Sequence, residues 1–346
     1  MDFNINNLVT LRIEEGLLPE LCEQFSYWKC DERVGIVDIE IKRGKVNPPE
    51  PIKAVKNFSF FDGGFVYTGT NGKIEYRQGL ITIEGMVDYI KTEVNFVKPI
   101  MDQILLSKGW CVAHASAVVY NGKAILFPAM GGTGKTNIML ELMSRGARFI
   151  GDDRVIVGQE GEMALYPRWI NMLEYNWTIF PELFERAFPD SSQRKIIEKR
   201  LRKYRRGVEM KGGNPATRYL KNHYMTSYHC EQRLPPERLF PGAGVGLAAK
   251  ADFAFFLERT DDGHKVVDSS PQRLARMSVS SMEFESMEFF EMMSALAGID
   301  FLDYRKRTEV MWKFFNKVRC HEIRMGEIKT RNGLVAIVDE IIDDLK

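Results

Sequence analysis

The chain has few cysteines, no long apolar segment and almost no excess of charge of either sign. Its 346 residues include five cysteines, and 48 Lys and Arg residues nearly balance 47 Asp and Glu residues. No apolar run approaches the roughly 20 residues that cross a bilayer. An odd number of cysteines without metal-type spacing favours reduced thiols. The balanced charge predicts neither a nucleic-acid partner nor a membrane partner.

The first residues of the sequence lack the pattern of a secretion signal. Met1–Asn7 has no basic segment followed by an apolar core, so we expect a cytoplasmic protein. A chain of this length, with 45% apolar residues, is long enough for two globular domains. Strand-like runs separated by turn residues predict an N-terminal antiparallel, β-rich α+β domain over residues 1–95.

The most informative segment is a glycine-rich turn, with the sequence AMGGTGKT at residues 129–136. An apolar run, Ala124–Phe127, precedes it, and an amphipathic segment, Asn137–Met143, follows it. A strand, a glycine-rich turn ending in Gly-Lys-Thr and a helix form a phosphate-binding loop (Walker A). Backbone N–H groups and the positive end of the helix dipole then face a di- or triphosphate.

The residue types of the turn predict how a nucleotide is held. The first glycine of the usual pattern is replaced by Ala129, which is tolerable where φ stays negative. Lys135 would reach the β- and γ-phosphates, and the Thr136 hydroxyl would bind Mg²⁺. The predicted nucleotide contacts are Gly131, Gly132, Thr133, Gly134, Lys135, Thr136 and Asn137.

Two further elements flank the turn. Val112–Tyr120 is typical of a strand, and the Asn-Gly pair at 121–122 predicts a type I′ hairpin turn that leads into the glycine-rich segment. Downstream, a short apolar run at 147–150 ends close to the pair Asp152-Asp153. Ligands of α/β sheets gather at the carboxyl ends of strands, so we expect this acidic pair beside the turn.

Together these elements resemble the HPr kinase/phosphorylase family, whose nucleotide site is like that of phosphoenolpyruvate carboxykinase. The family's order is kept: a strand containing His114, a hairpin, a Gly-Lys-Thr loop, a helix ending in Arg145-Gly146, and a strand ending in Asp152-Asp153. The resemblance implies an α/β fold, in which residues 96–346 form a P-loop catalytic domain with a mixed sheet. A helical, basic insertion would interrupt this domain at about 171–230.

The resemblance also implies an activity and assigns residues to it. It implies an ATP-dependent kinase that uses Mg²⁺ and transfers the γ-phosphoryl group to a hydroxyl of a protein or peptide serine, or of a small molecule. Asp152 would be the base. Asp153 would orient His114 or, with Thr136, hold the metal. Arg168 either clamps the γ-phosphate or forms a surface salt bridge.

Several alternatives stay open at the level of sequence. A nucleotide-binding regulatory or assembly protein without transfer activity is the main one, and carboxykinase chemistry on oxaloacetate is another. ATP, GTP, ADP and pyrophosphate are all possible donors, the acceptor is unknown, and a homo-oligomer is compatible with the resemblance. Residues 194–211 carry nine basic and two acidic side chains, which indicates either a solvated helix face or a docking site for an anionic substrate.

Overall fold

A computed structural model describes most of the chain and shows a mixed α/β protein. The described residues are 1–44, 46, 50–55, 58–67, 72–85, 96–211, 214–227, 231–261, 263–293, 304–328 and 330–345. Two of its described β-sheets contain both parallel and antiparallel pairs, so the predicted α/β class with a mixed sheet is confirmed. The predicted domain boundary near residue 95 lies outside the described residues.

The N-terminal part of the chain forms an eight-stranded sheet. Its strands are β1 (Asp2–Ile5), β2 (Val9–Ile13), β3 (Ile39–Lys42), β4 (Lys53–Val55), β5 (Phe58–Phe61), β6 (Gly64–Tyr67), β7 (Gly72–Arg77) and β8 (Leu80–Glu84). Their order is β1-β2-β3-β8-β7-β6-β5-β4. The prediction of a purely antiparallel sheet was wrong, because β3 lies parallel to both β2 and β8. A helical connection between β2 and β3, Pro19–Gln24, provides the crossover that a parallel pair requires.

The rest of the chain contributes twelve described strands in three sheets. These strands are β9 (Trp110–Ala113), β10 (Ala115–Tyr120), β11 (Lys123–Pro128), β12 (Arg148–Gly151), β13 (Val155–Gly158), β14 (Glu162–Leu165), β15 (Ile170–Met172), β16 (Gln232–Leu234), β17 (Ala248–Lys250), β18 (Phe253–Arg259), β19 (His264–Asp268) and β20 (Arg319–Met325). A six-stranded mixed sheet has the order β12-β10-β11-β18-β20-β19. A four-stranded antiparallel sheet has the order β17-β14-β13-β9, and β15 pairs with β16.

Helices surround these sheets. The described α-helices are α1 (Pro19–Gln24), α2 (Lys98–Ser107), α3 (Lys135–Ser144), α4 (Glu174–Ile179), α5 (Pro181–Ala187), α6 (Ser191–Glu209), α7 (Pro215–Ser227), α8 (Pro236–Leu239), α9 (Pro271–Met293), α10 (Tyr304–Phe315) and α11 (Arg331–Asp344). The predicted helical section at about 171–230 therefore corresponds to α4 to α7. None of the described helices combines the length and apolarity needed to span a bilayer.

The predicted hairpin before the glycine-rich segment is confirmed. β10 and β11 pair antiparallel from Ala115↔Pro128 to Tyr120↔Lys123. The two turn residues, Asn121 and Gly122, have φ values of 48° and 77°, as a type I′ turn requires. The hairpin places the apolar strand β11 in the middle of the six-stranded sheet, directly before the glycine-rich segment.

The prediction of one continuous strand over Val112–Tyr120 was wrong at His114. β9 ends at Ala113 and pairs with β13 in the four-stranded sheet, whereas β10 begins at Ala115 and pairs with β11 and β12. His114 therefore lies at the point where the chain passes from one sheet to the other. Its side chain is buried, with 3% of its surface exposed.

We expect Gly122→Ala to destabilise the protein by about 1 kcal/mol, because an L residue other than Asn or Asp is strained at positive φ. A Cβ at this position would meet no atom within 4 Å, so backbone strain alone is tested. Urea unfolding followed by far-UV circular dichroism measures the change. Gly35→Ala is the matched control, because it also has open space and lies outside the positive φ region; equal loss in both variants would contradict the turn assignment.

Candidate functional site

The glycine-rich loop, residues 129–134, connects β11 to α3. Gly132 and Gly134 have φ values of 73° and 112°, in the region that glycine adopts without strain. Gly131 and Gly132 are exposed, and the Thr133 hydroxyl donates a hydrogen bond to the Met130 carbonyl at 2.8 Å. The loop thus presents open backbone next to the first turn of α3, where helix N–H groups have no partner within the helix.

Lys135, the first residue of α3, points back toward the junction of the two sheets. Its Nζ lies 2.5 Å from Nε2 of His114 and 3.9 Å from Oδ1 of Asp153, and only 6% of the residue is exposed. On the other side of the His114 ring, Nδ1 lies 3.2 Å from the hydroxyl of Ser281. This hydroxyl donates a hydrogen bond to the Ala129 carbonyl at 3.0 Å. Helix α9 thereby fixes the His114 ring against the start of the loop.

Asp153 is the point on which the cationic groups of the site converge. Its Oδ1 lies 3.1 Å from Nε2 of His114, and its Oδ2 forms an ion pair with Arg168. Asp153 has a φ of 63°, which is uncommon for a residue other than glycine and is typical of functional sites. Asp153 lies two residues after the end of β12, and its carboxylate is directed toward Lys135.

Asp152 has a different environment although it is the neighbouring residue. It is fully buried, and its Oδ1 accepts hydrogen bonds from the hydroxyls of Ser116, at 2.6 Å, and Thr136, at 3.0 Å. Its Oδ2 accepts one from the backbone N–H of Asn171 at 3.2 Å. In the described residues Thr136 therefore contacts Asp152, whereas Asp153, its predicted partner at the metal, contacts His114, Lys135 and Arg168.

The two carboxyl groups have pKa values displaced in opposite directions. Burial raises the pKa of Asp152, and the negative charge of Asp153 adds to this effect, against the hydrogen bond from Ser116. Burial alone would also raise the pKa of Asp153, but the charge of Arg168 and the contacts with His114 and Lys135 hold it well below its usual range. Asp153 is therefore the carboxylate that stays charged, and Asp152 is the one suited to gaining and losing a proton.

Arg168 is mostly buried and does not form a surface salt bridge. Only 10% of its side chain is exposed, and it pairs with Asp153. Its Nε is buried and has no hydrogen-bond partner among the described residues. A buried guanidinium N–H without an acceptor is costly, so this atom is available to an anionic ligand at the site.

Six of the predicted site residues lie together in the structure, whereas the side chain of a seventh, Asn137, packs against a helix. His114, Lys135 and Arg168 each contact Asp153. Thr136 contacts Asp152, the residue before Asp153. The side chain of Asn137 is buried and accepts a hydrogen bond from Asn176 at 2.7 Å, so it packs against α4.

Sequence reasoning missed three contributors to the site. Ser116 and Asn171 hold Asp152, and Ser281 holds His114. Ser116 follows His114 by two residues near a predicted site, which is a weak signal in the sequence. Asn171 contributes its backbone, and Ser281 comes from a distant helix, so no local pattern identifies either of them.

The donor set of the cluster fits magnesium bound together with a phosphate ligand. Mg²⁺ prefers oxygen ligands and is usually held by one or two carboxylates plus substrate phosphates. The Thr136 hydroxyl and the Asp152-Asp153 pair provide such oxygens. Within the described residues no three His, Cys, Asp or Glu side chains form a metal cage.

Comparison with known proteins gives weak similarities to solved structures and no match in sequence. No family model matches the chain, and no curated protein matches it. Among solved structures, the HPr(Ser) kinase/phosphatase from Coxiella burnetii aligns with 68% of this chain and 90% of that chain. The identity is 10% and the TM-score is 0.31.

Proposed function

We propose that the chain is an ATP-dependent phosphotransferase that acts on a hydroxyl group and uses Mg²⁺. The observation that carries this proposal is the convergence of Lys135, His114 and Arg168 on Asp153 beside the glycine-rich loop. Phosphoryl transfer needs positioning, charge neutralisation and a proton acceptor, and this cluster offers all three. The acceptor is a serine of a protein or peptide, or a small molecule.

In this proposal, the cationic side chains that pair with Asp153 in this structure bind the nucleotide phosphates when a nucleotide is present. Lys135 is buried and directed at the carboxylate of Asp153. A phosphate is likewise an anionic group with oxygen acceptors. The unpartnered Nε of Arg168 provides a further donor for the γ-phosphate, in addition to the N–H group that pairs with Asp153. Gly131, Gly132, Gly134 and the first turn of α3 would supply backbone N–H groups.

Asp152 is the proposed proton acceptor, and Asp153 the residue that organises the cations. The acceptor hydroxyl oxygen forms a bond to the γ-phosphorus while the bond from that phosphorus to the β–γ bridging oxygen breaks, ADP leaves, and the hydroxyl proton passes to Asp152. The raised pKa of Asp152 supports this role, because a general base is most effective when its pKa is near the working pH.

Thr136 and Asp153 are the proposed ligands of Mg²⁺, with Asp152 hydrogen-bonded to the Thr136 hydroxyl. Asp153 suits this role because its carboxylate stays charged. When bound, the metal would neutralise charge on the β- and γ-phosphates. His114 would hold Asp153 in place through their contact at 3.1 Å.

A catalytic core of the HPr-kinase type over residues 96–346, with a separate N-terminal domain over residues 1–95, is part of the same proposal. It is supported by the sheets: β1 to β8 form one sheet by themselves, and β9 to β20 form the other three. We further propose that the protein acts in the cytoplasm.

We expect Lys135→Ala to weaken the binding of MgATP by roughly 10- to 100-fold, because a hydrogen bond between two charged groups is lost. Isothermal titration calorimetry measures the dissociation constant. Lys123→Ala changes an exposed lysine at the start of β11; this control variant should bind as the wild type does. Unchanged affinity of Lys135→Ala would contradict the phosphate-binding role of the loop.

We expect Asp152→Asn to lower the transfer of label from γ-labelled ATP by about 10²- to 10⁴-fold while MgATP still binds. The reaction is followed in the small-molecule and macromolecular fractions of an extract from the source organism. Label in one fraction identifies the acceptor class. Binding without any Lys135-dependent transfer by the wild type would instead favour a regulatory nucleotide-binding protein.

The opposite pKa shifts of the two carboxyl groups predict that Asp152→Asn and Asp153→Asn change the stability of the protein differently. Because the pKa of Asp152 is raised in the folded protein, its ionisation opposes folding above the unfolded pKa, so Asp152→Asn should not lower Tm at pH 7. The pKa of Asp153 is lowered, so its charge stabilises the fold above the unfolded pKa, and Asp153→Asn should lower Tm. Differential scanning calorimetry compares the two variants, and the opposite order would contradict the charge assignment.

A further inference from the structure

Helix α6 exposes a row of basic side chains opposite to its buried face. The basic row consists of Lys195, Lys199, Arg202 and Arg206. Their spacing of four, three and four residues places them on one face of a helix, and all four are exposed. The buried residues of α6, among them Ile197 and Leu201, lie on the other side and hold the helix against the protein.

The charge of the basic row is not balanced by its surroundings. In the part of the chain that the structure describes, no carboxylate forms an ion pair with any of the four side chains. The two helices α6 and α7 span residues 191–227, which contain eleven Lys and Arg but two Asp and Glu, in a chain of net charge +1. Like charges four residues apart destabilise a helix, so an anionic partner on this face would relieve repulsion.

The basic row ends at a cavity beside the candidate active site. Arg205, next to the last residue of the row, lines a cavity of about 460 Å³ together with Tyr175 and Ile328. Ile328 lies against the glycine-rich loop, since a Cβ built on Gly134 would be 3.0 Å from its Cδ1. The cavity therefore opens next to the loop.

Tyr175 connects the same cavity to the two carboxylates. Desolvation raises the pKa of Tyr175 to about 12, and the charges of Asp152 and Asp153 contribute to the shift. Tyr175 comes four residues after Asn171, whose backbone N–H donates a hydrogen bond to Asp152. A group bound in the cavity is thus close to the proposed base.

We propose that the basic row docks an acidic segment of a polypeptide whose hydroxyl-bearing residue enters this cavity. The inference rests on the proposed phosphotransferase function and names the class of its acceptor. Ile196, exposed by 59%, follows Lys195 on α6 and lies next to the first residue of the row.

The charges at the cavity favour a polypeptide over a nucleic acid. Glu174 and Glu209 line the cavity, and Glu174 is already paired with Arg205. A nucleic acid carries a negative charge at every phosphate, including the one that would reach these glutamates. A polypeptide can place an uncharged serine or threonine at the cavity and its carboxylates along the basic row.

The length of the basic row sets the spacing of the acidic residues in the acceptor. Lys195 and Arg206 are separated by about 16 Å along the helix axis at 1.5 Å per residue. An extended chain covers this distance with about five residues at 3.3 Å each. The acidic residues should therefore lie within about six positions of the hydroxyl.

Fluorescence anisotropy without ATP tests the docking step. The probes are two labelled peptides in which five glutamates follow or precede one serine, and a peptide with glutamines in their place. We expect one acidic peptide to bind at least about tenfold more tightly than the neutral one, and this preference to weaken with salt. The quadruple variant Lys195→Gln, Lys199→Gln, Arg202→Gln and Arg206→Gln should lose the preference.

A matched variant shows whether position or total charge matters. Lys29→Gln, Lys265→Gln, Arg276→Gln and Arg305→Gln together remove four exposed basic side chains from other elements, and this variant should keep the preference. Glutamine favours helix about as well as lysine and arginine, and circular dichroism checks the helix content of both variants. Equal loss in the two variants, or no preference in the wild type, would overturn the proposal.

Transfer from γ-labelled ATP then tests the acceptor itself. The wild type should phosphorylate the bound acidic peptide with a kcat/KM at least about tenfold above that for the neutral peptide, and the quadruple row variant should lose this advantage. A single-stranded oligonucleotide that binds through the basic row more tightly than both acidic peptides would overturn the polypeptide assignment. Absence of Lys135-dependent ATP binding would contradict the proposed function, whereas row-dependent binding of the acidic peptide would still support docking.

Discussion

The half-buried carboxylate of Asp153 is the anion that allows three cationic or protonatable side chains to share one small volume. Lys135, His114 and Arg168 each contact it, and without a negative charge among them they would repel one another in a poorly solvated place. The backbone of Asp153 accepts a left-handed conformation to reach this position. The site is therefore organised around a charge balance, and in the proposed function the phosphates of the nucleotide would replace Asp153 as the anionic partner of these cations.

The change of sheet at His114 explains how the charge balance is built into the fold. β9 and β10 belong to different sheets although only one residue separates them. That residue consequently lies between the sheets, close to the end of β12 and to the start of the loop after β11. The proposed catalytic groups are thus held by strand pairing on both sides, and Ser281 of α9 fixes the ring from a third direction.

The loop and the hairpin could be predicted because they depend on local residue types. The features of the fold that could not be predicted depend on contacts between residues that are distant in sequence. The hairpin turn at Asn121-Gly122 and the glycine-rich loop need positive φ values. Few residue types adopt these values without strain, so the sequence indicated both turns. The break at His114 has no such signal, because residues on both sides are apolar and β-forming and the partner strands are distant in sequence. The parallel pairing of β3 and the burial of Arg168 likewise depend on tertiary contacts.

The uneven distribution of basic residues gives the molecule an electrical property that its composition hides. With a net charge of +1 at pH 7, the protein would focus near neutral pH in an isoelectric gradient. Yet α6 and α7 carry a strong positive excess, so the remainder of the chain must be negative by almost the same amount. Such a particle has a large dipole moment, and in dilute salt it orients in the field of a charged neighbour before contact. Collisions with an anionic partner would then begin preferentially at α6 and α7.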